Sequence, residues 1–568
     1  MGGLLLRDVL VIFLVAVPFI VLVHRLRLPA LIGFLLTGAL IGPHGIRLVE
    51  DAHRIEILAE IGVTLLLFTI GLEFSLASFA KLRTYVVKGG LLQIAGTVTA
   101  GIAVGWAMRW PVQQGVFFGC VIALSSTAVV LSALMNERMH ESLPGRIGTG
   151  ILILQDLAVI PMIALLPSLG PSESGEFWSH TLLHLGQIAV LFALTFVAIR
   201  FLAGGVLRII SKTRSRELFL ITVIVFALGM AWITHQMSLS FALGAFLGGL
   251  MVGSTDFQGE ALAEVSPFRY CFNSLFFVSI GMLLDFAFLR QNLATIALLV
   301  VLIPALKWAI TTGSLLLLRA PLRISANVGI LLGQIGEFSF LLATLGRTLN
   351  VIDFTFYQYI VATAVATMFA TPLMVKWSLP LSERIARLPG LKKIGSSAEE
   401  WSLEEAVSAM KGHVIVCGFG PLGETLGRIL DDYKIPHVIL ELNPETIERT
   451  KTAKPNIFFG DGASEDILYK SGIERAKMLA ITIPDYFNNV ATIRQARRLS
   501  GGISIIARAK YRKEVQDLYE AGADIVVSEE LEGGIEMGRY ALKELGIQQA
   551  EVDDYVRKVR EFGSADFF

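Results

Sequence analysis

The sequence predicts a polytopic α-helical membrane domain followed by a soluble α/β domain. Three observations predict this fold class. Thirteen long apolar segments fill residues 1–380, a glycine-rich turn follows a strand pattern near residue 418, and the charge is divided unevenly between the two parts. Residues 1–393 hold 27 basic and 19 acidic side chains, whereas residues 394–568 hold 21 and 29. An average soluble protein is about 25% charged, and only the second part reaches that density.

Apolar stretches of the length that crosses a bilayer, about 20 residues each, repeat along the first part. The predicted spans are residues 8–23, 29–43, 55–72, 85–108, 115–134, 147–169, 181–207, 217–235, 239–253, 270–284, 292–317, 323–346 and 354–379. With the N-terminus outside, the inner loops and span ends collect 20 Lys and Arg side chains and the outer segments collect six. The positive-inside rule therefore predicts a multi-pass protein of the cytoplasmic (inner) membrane, with its N-terminus outside and its soluble domain in the cytoplasm. The acidic soluble part argues against nucleic acid as a partner, which leaves the lipid bilayer as the expected surroundings.

An internal repeat relates two halves of the membrane domain. The segment LLLFTIGLEF at 65–74 aligns with LFFVSIGMLLDF at 275–286 at an offset of 210, and the glycine pair Gly38 and Gly42 aligns with Gly249 and Gly253 at 211. The agreement predicts two six-helix halves, spans 1–6 and 8–13, joined by span 7. Because seven spans separate equivalent helices, the two halves are expected to have opposite orientations, which is typical of transporters.

The repeat brings two polar interruptions into register. Ser125–Thr127 breaks the apolar pattern of span 5, and Gly333–Glu337 breaks that of span 12. Paired interruptions predict broken helices whose four half-helix ends face one another at a midplane binding site. The alternative is ordinary helix packing through small residues.

Among the charged residues of the predicted spans, the candidates for function are Asp156, which lies beside Gln155, Lys307 and Glu337. Intramembrane acids usually mark ion or proton pathways. A carboxylate that holds either a proton or a cation, but not both, is the minimal exchanger. We therefore assign transport to Asp156, Gln155, Lys307 and Glu337, with Asp156, Gln155, Ser126 and Thr127 as candidate ligands of a monovalent cation.

Each of the charged residues also has a structural alternative. Asp156 and Lys307 could form an ion pair that only holds helices together, and pairing is the favoured role for Lys307. Glu337 could neutralise helix N-termini instead of binding an ion.

The membrane region resembles the cation:proton antiporter 2 family, close to its Kef-type potassium-efflux branch. The segments that carry the resemblance are GFLLTGALIGP at 33–43, LLLFTIGLEF at 65–74, ALSSTAVV at 123–130, ILILQDLAVIP at 151–161, LGAFLGGLMVG at 243–253, FFVSIGM at 276–282 and GQIGEFSF at 333–340. The resemblance implies an NhaA/NapA-like antiporter fold and a homodimer. Spans 1–3 and 8–10 would form the dimerisation domain, and spans 4–6 and 11–13 a core that moves like an elevator. Within the family, the Gln-Asp form at 155–156 resembles electroneutral potassium-type members.

The soluble part begins with a nucleotide-binding pattern of the Rossmann type. The strand pattern HVIVC at 413–417 runs into Gly418, Phe419, Gly420, Pro421, Leu422 and Gly423. A helix to about Leu430 and a second strand at 437–442 follow, and Glu441 closes that strand where an acid is expected to hold ribose hydroxyls. Further strands are predicted at 458–461, 478–483, 503–510 and 524–528. The alternative is a module that keeps its turn glycines but binds no nucleotide.

This part resembles the N-lobe of the regulator-of-potassium-conductance (RCK, or TrkA-N) module, above all in GDGASEDIL at 460–468. The resemblance implies a regulatory adenine nucleotide, AMP or NAD(H), which the glycine loop, Glu441, Asn443, Asp461, Gly462 and Ala463 would contact. It also implies pairing of these domains across the dimer, and an ancillary regulatory subunit is a further candidate partner. The cytoplasmic segment at 254–269 differs from the acidic motif of glutathione-gated relatives, which puts glutathione gating in question.

We therefore predict a monovalent cation:proton antiporter for K⁺ and H⁺, not an enzyme. The predicted organisation is a transmembrane exchanger domain at 1–380, a linker at 381–411, the nucleotide-binding domain at 412–546 and a tail at 547–568. A Na⁺/H⁺ antiporter of the same fold is the nearest alternative. An RCK-gated potassium channel is less consistent with the sequence, since no TVGYG-like filter occurs. A membrane-bound NAD-dependent oxidoreductase would need a second redox site that the sequence does not suggest.

Overall fold

The protein divides into two compact units in a computed structural model. The model describes residues 2–25, 30–49, 61–62, 64–69, 71–72, 84–137, 139–140, 142–169, 186, 204–213, 215–236, 241–386, 398–408, 410–452 and 454–562. The first unit comprises Met1–His140 and Pro144–Leu391, and the second comprises Glu141–Leu143 and Lys392–Phe568. Predicted span 7 lies almost entirely outside the described residues.

Helices make up the described part of the first unit. They are α1 (Gly2–Arg25), α2 (Ala30–Ile41), α3 (Gly89–Ala107, preceded by a π-helical turn at Thr84–Lys88), α4 (Val112–Ala123), α5 (Thr127–Asn136), α6 (Leu143–Leu165), α7 (Gly204–Ser211), α8 (Arg216–Gln236), α9 (Phe241–Gly253), α10 (Gln258–Met282), α11 (Phe286–Gln291), α12 (Leu293–Leu317), α13 (Leu322–Leu331), α14 (Phe338–Thr348) and α15 (Phe354–Ala386). Among the described residues, seven helical segments are long and apolar enough to cross a membrane, and three shorter helices are apolar. The full count of thirteen spans stays a prediction.

Two breaks interrupt helices at the predicted positions. α4 ends at Ala123 and α5 begins at Thr127, while α13 ends at Leu331 and α14 begins at Phe338. The prediction of broken helices in these two segments is therefore confirmed.

The same tight turn precedes both broken segments. α3 leads to α4 through Arg109 at φ 58° and Pro111, and α12 leads to α13 through Arg319 at φ 63° and Pro321. The positive φ of each arginine ends one helix. Proline at the residue before the next helix suits its fixed φ and lacks the N–H that would have no partner there. The two turns lie 210 residues apart, which is the offset of the sequence repeat.

Glycines permit two close helix crossings that match at nearly the same offset, 211 for the glycines and 210 for their partners. A Cβ on Gly38 of α2 would lie 2.0 Å from the carbonyl oxygen of Val278, and one on Gly249 of α9 would lie 1.9 Å from that of Phe68. The neighbouring pairs agree, because Gly42 abuts Met282 as Gly253 abuts Leu72. Each crossing brings two backbones together, which a larger side chain would prevent.

Two helices extend beyond their predicted bounds. The segment at 254–269, which we expected to be a loop, is helical from Gln258 and continues into the apolar part of α10. The side chain of Glu264 in this segment forms an ion pair with Arg216, so the charged part of α10 lies against the start of α8. α15 continues to Ala386, seven residues beyond the predicted end of span 13.

The second unit is an α/β domain whose sheet is parallel throughout. Its elements are α16 (Ala398–Val407), β1 (Val414–Cys417), α17 (Pro421–Asp432), β2 (His437–Glu441), α18 (Pro444–Thr450), β3 (Ile457–Phe459), α19 (Glu465–Lys470), β4 (Met478–Ile481), α20 (Tyr486–Leu499), β5 (Ser504–Ala509), α21 (Val515–Ala521), β6 (Ile525–Ser528), α22 (Glu529–Glu544) and α23 (Gln549–Phe562). The strand order is β3-β2-β1-β4-β5-β6. The six predicted strands are confirmed.

The topology places the carboxyl end of β1 at the switch point of the sheet. β1 pairs with β2 on one side, with Cys417 opposite Leu440, and with β4 on the other, with Cys417 opposite Ile481. Ligands of doubly wound sheets bind outside the strand ends at this point. Helix α23 packs on α22, where Arg560 makes a two-pronged ion pair with Glu532.

Candidate ion site and nucleotide site

The two helix breaks touch each other inside the first unit. The backbone N–H of Gly336 donates to the Leu124 carbonyl oxygen at 3.1 Å, and the Ser125 hydroxyl donates to the Leu332 carbonyl oxygen at 2.9 Å. A Cβ on Gly336 would lie 2.6 Å from the carbonyl carbon of Ser125, so this approach requires glycine. The contact satisfies backbone groups that no helix supplies with partners, as membrane depth demands.

Lys307 of α12 joins the two breaks. Its Nζ donates to the Leu124 carbonyl oxygen and to the Ser125 hydroxyl, each at 2.8 Å, and also to the Gln334 carbonyl oxygen. The side chain is completely buried. These carbonyls follow the C-termini of α4 and α13, where helix dipoles favour a cation. The expected ion pair with Asp156 is not among the contacts of Lys307 in the described part of the chain. Two of its three hydrogen bonds go to backbone carbonyls and the third goes to the Ser125 hydroxyl.

Glu337 lies at a helix N-terminus, whereas Lys307 lies at helix C-termini. Its carboxyl group is buried and lies against the Ser126 hydroxyl and the backbone N–H of Ala128, at the N-terminus of α5. A helix N-terminus favours a negative charge. This contact fits neutralisation of the helix end, and both roles of Glu337 stay predictions.

Asp156 lies on the accessible side of the break in α4–α5. Its Oδ2 accepts a hydrogen bond of 2.8 Å from the Thr127 hydroxyl. Asp156 and Thr127 are half-buried, and the adjacent Ala128 is exposed. Ser126, the other hydroxyl considered as a ligand, caps α5 by accepting from the Val129 N–H at 3.3 Å. Asp156 and Thr127 are thus the two predicted ligands that face an open surface.

The Gln155 side chain is buried, and its polar atoms form hydrogen bonds with other residues of the protein. Its Oε1 accepts from the Ser125 N–H at 2.8 Å, and its Nε2 donates to Oε1 of Gln93 at 2.8 Å. Gln93, in α3, donates in turn to the Ala123 carbonyl oxygen at 3.1 Å and to the Thr97 hydroxyl at 3.2 Å. This chain of amides orients Gln155 so that its carbonyl supports the broken backbone. The arrangement differs from the role of cation ligand that we predicted for Gln155.

Replacing Gln93 with leucine is expected to lower the unfolding temperature of the purified protein. The change leaves the Gln155 amide and the Ala123 carbonyl buried without their partner, and each such group costs about 1–3 kcal/mol. The exposed Gln291, at the end of α11, provides the control, because Gln291→Leu removes no buried hydrogen bond. Equal unfolding temperatures for the two variants would contradict this role of Gln93.

Sequence reasoning missed Gln93 and Ser125 as parts of the site. Gln93 lies in the apolar stretch Leu91–Ile94, and a lone polar residue in a span is the signal that could have identified it. Ser125 belonged to the predicted interruption, but the sequence could not tell which of its hydroxyls faces Lys307.

The glycine loop of the second unit lies at the switch point of the sheet. Gly418, directly after β1, adopts φ 100°, a conformation that glycine tolerates best. Gly423 packs so closely that a Cβ would lie 2.1 Å from the Gly418 carbonyl oxygen. Pro421 begins α17, whose N-terminus follows the loop formed by Phe419 and Gly420, with Leu422 partly exposed in its first turn. Such a helix N-terminus suits a phosphate group.

Glu441 ends β2 and reaches back to this loop. Its carboxylate accepts from the backbone N–H of Phe419 at 2.6 Å, and from those of Leu442 and Asn443 at 2.8 Å each. The acid is therefore held beside the glycine loop, with further lone pairs that could accept hydroxyl groups.

The turn after β3 completes the predicted site. The Gly460 N–H donates to the Glu441 carbonyl oxygen, and the Ala463 N–H donates to the carboxylate of the buried Asp461 at 3.0 Å. A Cβ on Gly462 would lie 2.7 Å from Sγ of Cys417, so this turn lies against the end of β1. Burial, together with the nearby Asp461 and Glu441, raises the pKa of the Cys417 thiol to about 12 and keeps it protonated. The structure thus brings together the three predicted loops, and it adds Thr482, whose hydroxyl donates to the Cys417 and Gly418 carbonyls.

Two family models match the chain. The family model described as "Sodium/hydrogen exchanger, transmembrane" matches residues 9–380, and that of the TrkA-N domain matches residues 414–529. The chain belongs to the sodium/hydrogen exchanger family. It joins this exchanger region to a TrkA-N domain.

Similar proteins extend over nearly the whole of this exchanger. The glutathione-regulated potassium-efflux system protein KefC of Cronobacter sakazakii is 32% identical over 535 residues, which cover 93% of this chain and 83% of that protein. The TrkA-N domain of the inner membrane protein ybaL from Escherichia coli is 31% identical, with 24% of this chain and 98% of that one covered and a TM-score of 0.22. The Shewanella denitrificans Kef CTD in AMP-bound form is 24% identical, with 27% and 92% covered and a TM-score of 0.25. The two family models and the KefC relative confirm the predicted resemblance to Kef-type antiporters with a TrkA-N domain.

Proposed function

We propose that this exchanger transports K⁺ out of the cell in return for H⁺, with Asp156 as the group that holds either ion. The observation that carries the proposal is the position of Asp156 beside the break in α4–α5, half-buried and bonded to Thr127. A carboxylate in this position binds a cation when ionised and is neutral when protonated, so the two ions compete for it. Thr127 supplies a hydroxyl oxygen next to it.

The Gln-Asp pair supports electroneutral exchange. Gln155 is neutral, buried and bonded to Gln93 and to Ser125, so Asp156 alone changes charge in this pair. One carboxylate binds one K⁺ or one H⁺, and the carrier would then bear the same net charge in both loaded states. Two acids at these positions would allow a second proton to accompany the cycle.

We further propose an elevator-like motion of a rigid core. Lys307, Gln93 and Ser339 support this division, because their hydrogen bonds connect α3, α4, α12 and both breaks within the predicted core. The glycine crossings of α2 with α10 and of residues 64–72 with α9 lie in the predicted dimerisation domain. The matching turns and crossings at offset 210 also support two inverted six-helix halves and thirteen spans. A homodimer, an external N-terminus and a cytoplasmic second unit belong to the same proposal.

The experiment is a flux measurement with the purified protein in liposomes. A pH-sensitive dye inside the vesicles should report proton movement when K⁺ is added outside, and the movement should saturate with K⁺. A membrane potential set by a K⁺-independent gradient should leave the exchange rate unchanged. Conductive K⁺ flux without proton movement would indicate a channel and would contradict the proposal.

Na⁺ is the second candidate cation, because the matching family model is that of sodium/hydrogen exchangers. The same assay decides between the ions when K⁺, Na⁺ and choline are compared at equal concentration. A response to Na⁺ with none to K⁺ would replace K⁺ in the proposal and leave the role of Asp156 intact.

We also propose that an adenine nucleotide, AMP or NAD(H), binds the second unit and regulates exchange. The glycine loop, the N-terminus of α17 and the Glu441 carboxylate lie together at the switch point of the sheet, which supports binding of a phosphate and a ribose.

Glu441→Gln is expected to weaken nucleotide binding by about tenfold or more. A hydrogen bond to a charged group contributes roughly 1.5–3 kcal/mol, and 1.4 kcal/mol corresponds to a factor of ten in Kd. The amide keeps one oxygen to accept from the backbone, so the domain should remain folded. Titration calorimetry with AMP, NAD⁺ and NADH measures the effect, with Glu544→Gln at the exposed end of α22 as the matched control. Unchanged affinity for all three ligands would contradict the assignment of Glu441.

A further inference from the structure

One face of α15 carries a buried row of hydroxyl groups. Its members are Thr363, Thr367, Thr371, Ser378 and Ser382, all of them at most 1% exposed. At 100° per residue these positions fall within an arc of about 100° on the helix. A row of hydroxyls in a membrane helix often serves only packing, and four of these bond the preceding turn of their own helix.

This face meets α12, α13 and the second break. The Ile335 N–H donates to the Thr367 hydroxyl at 3.3 Å, and Nδ2 of Asn327 donates to the Ser378 hydroxyl at 3.2 Å. On the other side, Lys307 of α12 donates to the Gln334 carbonyl oxygen. We call the space between these elements the seam, defined by Thr311, Asn327, Gln334 and the hydroxyl face of α15.

Several polar side-chain atoms in the seam are buried without a hydrogen-bond partner in the described part of the chain. Both Nε2 and Oε1 of Gln334 lack a hydrogen bond within the described part of the chain, as do Oδ1 of Asn327 and the hydroxyls of Thr311 and Thr363. Gln334 and Thr311 are completely buried, and Asn327 and Thr363 are 1% exposed. Native interiors rarely leave such groups unsatisfied, so a cluster of them indicates a bound polar molecule.

The unsatisfied groups follow one another along the seam. α13 runs antiparallel to its neighbours α12 and α15. In α12, Lys307 contacts Gln334, whereas Thr312, which comes later in that helix, contacts Ser325, which comes earlier in the chain than Gln334. The order along the seam is therefore Thr363, Gln334 and then Asn327 and Thr311, which lie at nearly the same level. From the level of Thr363 to that of Ser378, the seam is about 22 Å long at 1.5 Å per residue, most of the roughly 30 Å hydrocarbon core.

The chemistry of these groups selects water over a cation. Oε1 of Gln334 and Oδ1 of Asn327 need donors, whereas Nε2 of Gln334 needs an acceptor. A monovalent cation would satisfy the oxygens and would repel Nε2. Water donates and accepts, and a buried water typically makes about three hydrogen bonds to such groups.

We propose that the seam holds a file of ordered water molecules, with Gln334 as its central ligand. This site is separate from the candidate cation site, because Lys307 lies between Gln334 and the break at Leu124 and Ser125. The water would satisfy the polar lining of the second break, which the protein alone leaves unpaired. The inference depends on the geometry of the membrane unit and not on which ion is transported.

The test is the sign of the change in unfolding temperature for Gln334→Met, which removes the amide and roughly keeps the volume. If water satisfies the amide, the variant loses those bonds, and the unfolding temperature should fall by roughly 2 °C or more. If the amide is dry, removing it relieves an unpaired group, and the temperature should rise. A rise, or no change beyond that of the exposed control Gln291→Met, would overturn the proposal.

A double variant tests whether water links separate groups. Gln334→Met and Thr363→Val should each lower the unfolding temperature, and their combination should lower it by less than the sum, because both lose the same water. Strict additivity would overturn a shared file.

The remaining alternative is a cation in the seam, tested in the Asp156→Asn background so that the candidate cation site is silenced. Stabilisation of this variant by K⁺ or Na⁺ relative to choline, if it is lost with Gln334→Met, would assign the seam to a cation and overturn the water file. The same unfolding temperature in all three salts is the result expected for water.

Discussion

Asp156→Asn is expected to reduce cation-dependent proton exchange to the level of liposomes without protein, while the protein still folds. Asparagine keeps an oxygen that can accept from the Thr127 hydroxyl, so the local geometry should persist. It has no ionised form, and it therefore neither carries a proton nor provides the charge that binds a cation. The measurement is dye-reported proton flux on addition of K⁺ or Na⁺, together with the unfolding temperature as evidence of folding.

The matched control is Asp353→Asn at the start of α15. Asp353 is exposed and caps its helix by accepting from the Phe356 N–H at 2.8 Å, and asparagine serves equally well as a cap. This control should exchange ions at the parental rate. Normal exchange by Asp156→Asn would show that another group carries the ion and would refute the site assignment.

Lys307→Met is expected to destabilise the membrane unit by roughly 3 kcal/mol or more. Three buried oxygens, on Leu124, Ser125 and Gln334, lose their common charged donor, and a hydrogen bond to a charged group contributes about 1.5–3 kcal/mol. Two of these oxygens are carbonyls beside helix C-termini, whose partial negative charge would then face each other uncompensated. Methionine preserves most of the volume, so the effect reports hydrogen bonds and charge more than packing.

Thermal unfolding followed by tryptophan fluorescence measures this loss, with Lys376→Met on the exposed side of α15 as the control. The control should unfold at the parental temperature. If Lys307→Met were as stable as the control, Lys307 would not join the breaks, and its burial would have to serve transport alone.

Local sequence patterns were sufficient to predict the strands, the glycine loop and the two helix breaks. The six strands and the glycine loop were predicted because each depends on residues adjacent in the chain, such as the turn that only Gly418 accommodates at φ 100°. The two helix breaks were predicted because polar residues in an apolar span leave few other conformations. The helical start of α10 at Gln258 was missed, because acidic residues after an apolar span are typical of a loop. The contact of Glu264 with Arg216 is between residues distant in the sequence.

The partners of the buried polar residues could not be predicted in this way. The sequence marked Asp156, Lys307 and Glu337 as exceptional, and it suggested that the first two pair. In the structure Lys307 contacts the broken backbone, and Gln155 contacts Gln93, 62 residues away. From the sequence alone, only another charged side chain can be proposed as the partner of a buried charge. In the folded protein a helix end can also be the partner, and its partial charge exists only once the helix has formed.

The sequence by itself predicted the apolar and the polar part of this protein, the breaks in its membrane helices and the glycine loop at the switch point of its sheet. These follow from hydropathy, spacing and glycine, which act over a few residues. Only the tertiary structure decided that Lys307 holds two helix C-termini together, that Glu337 lies at a helix N-terminus and that Asp156 is left facing an open surface. The physical reason is that a buried charge is stabilised by whatever dipoles surround it, and the crossing of four half-helices brings those dipoles together from segments about 200 residues apart.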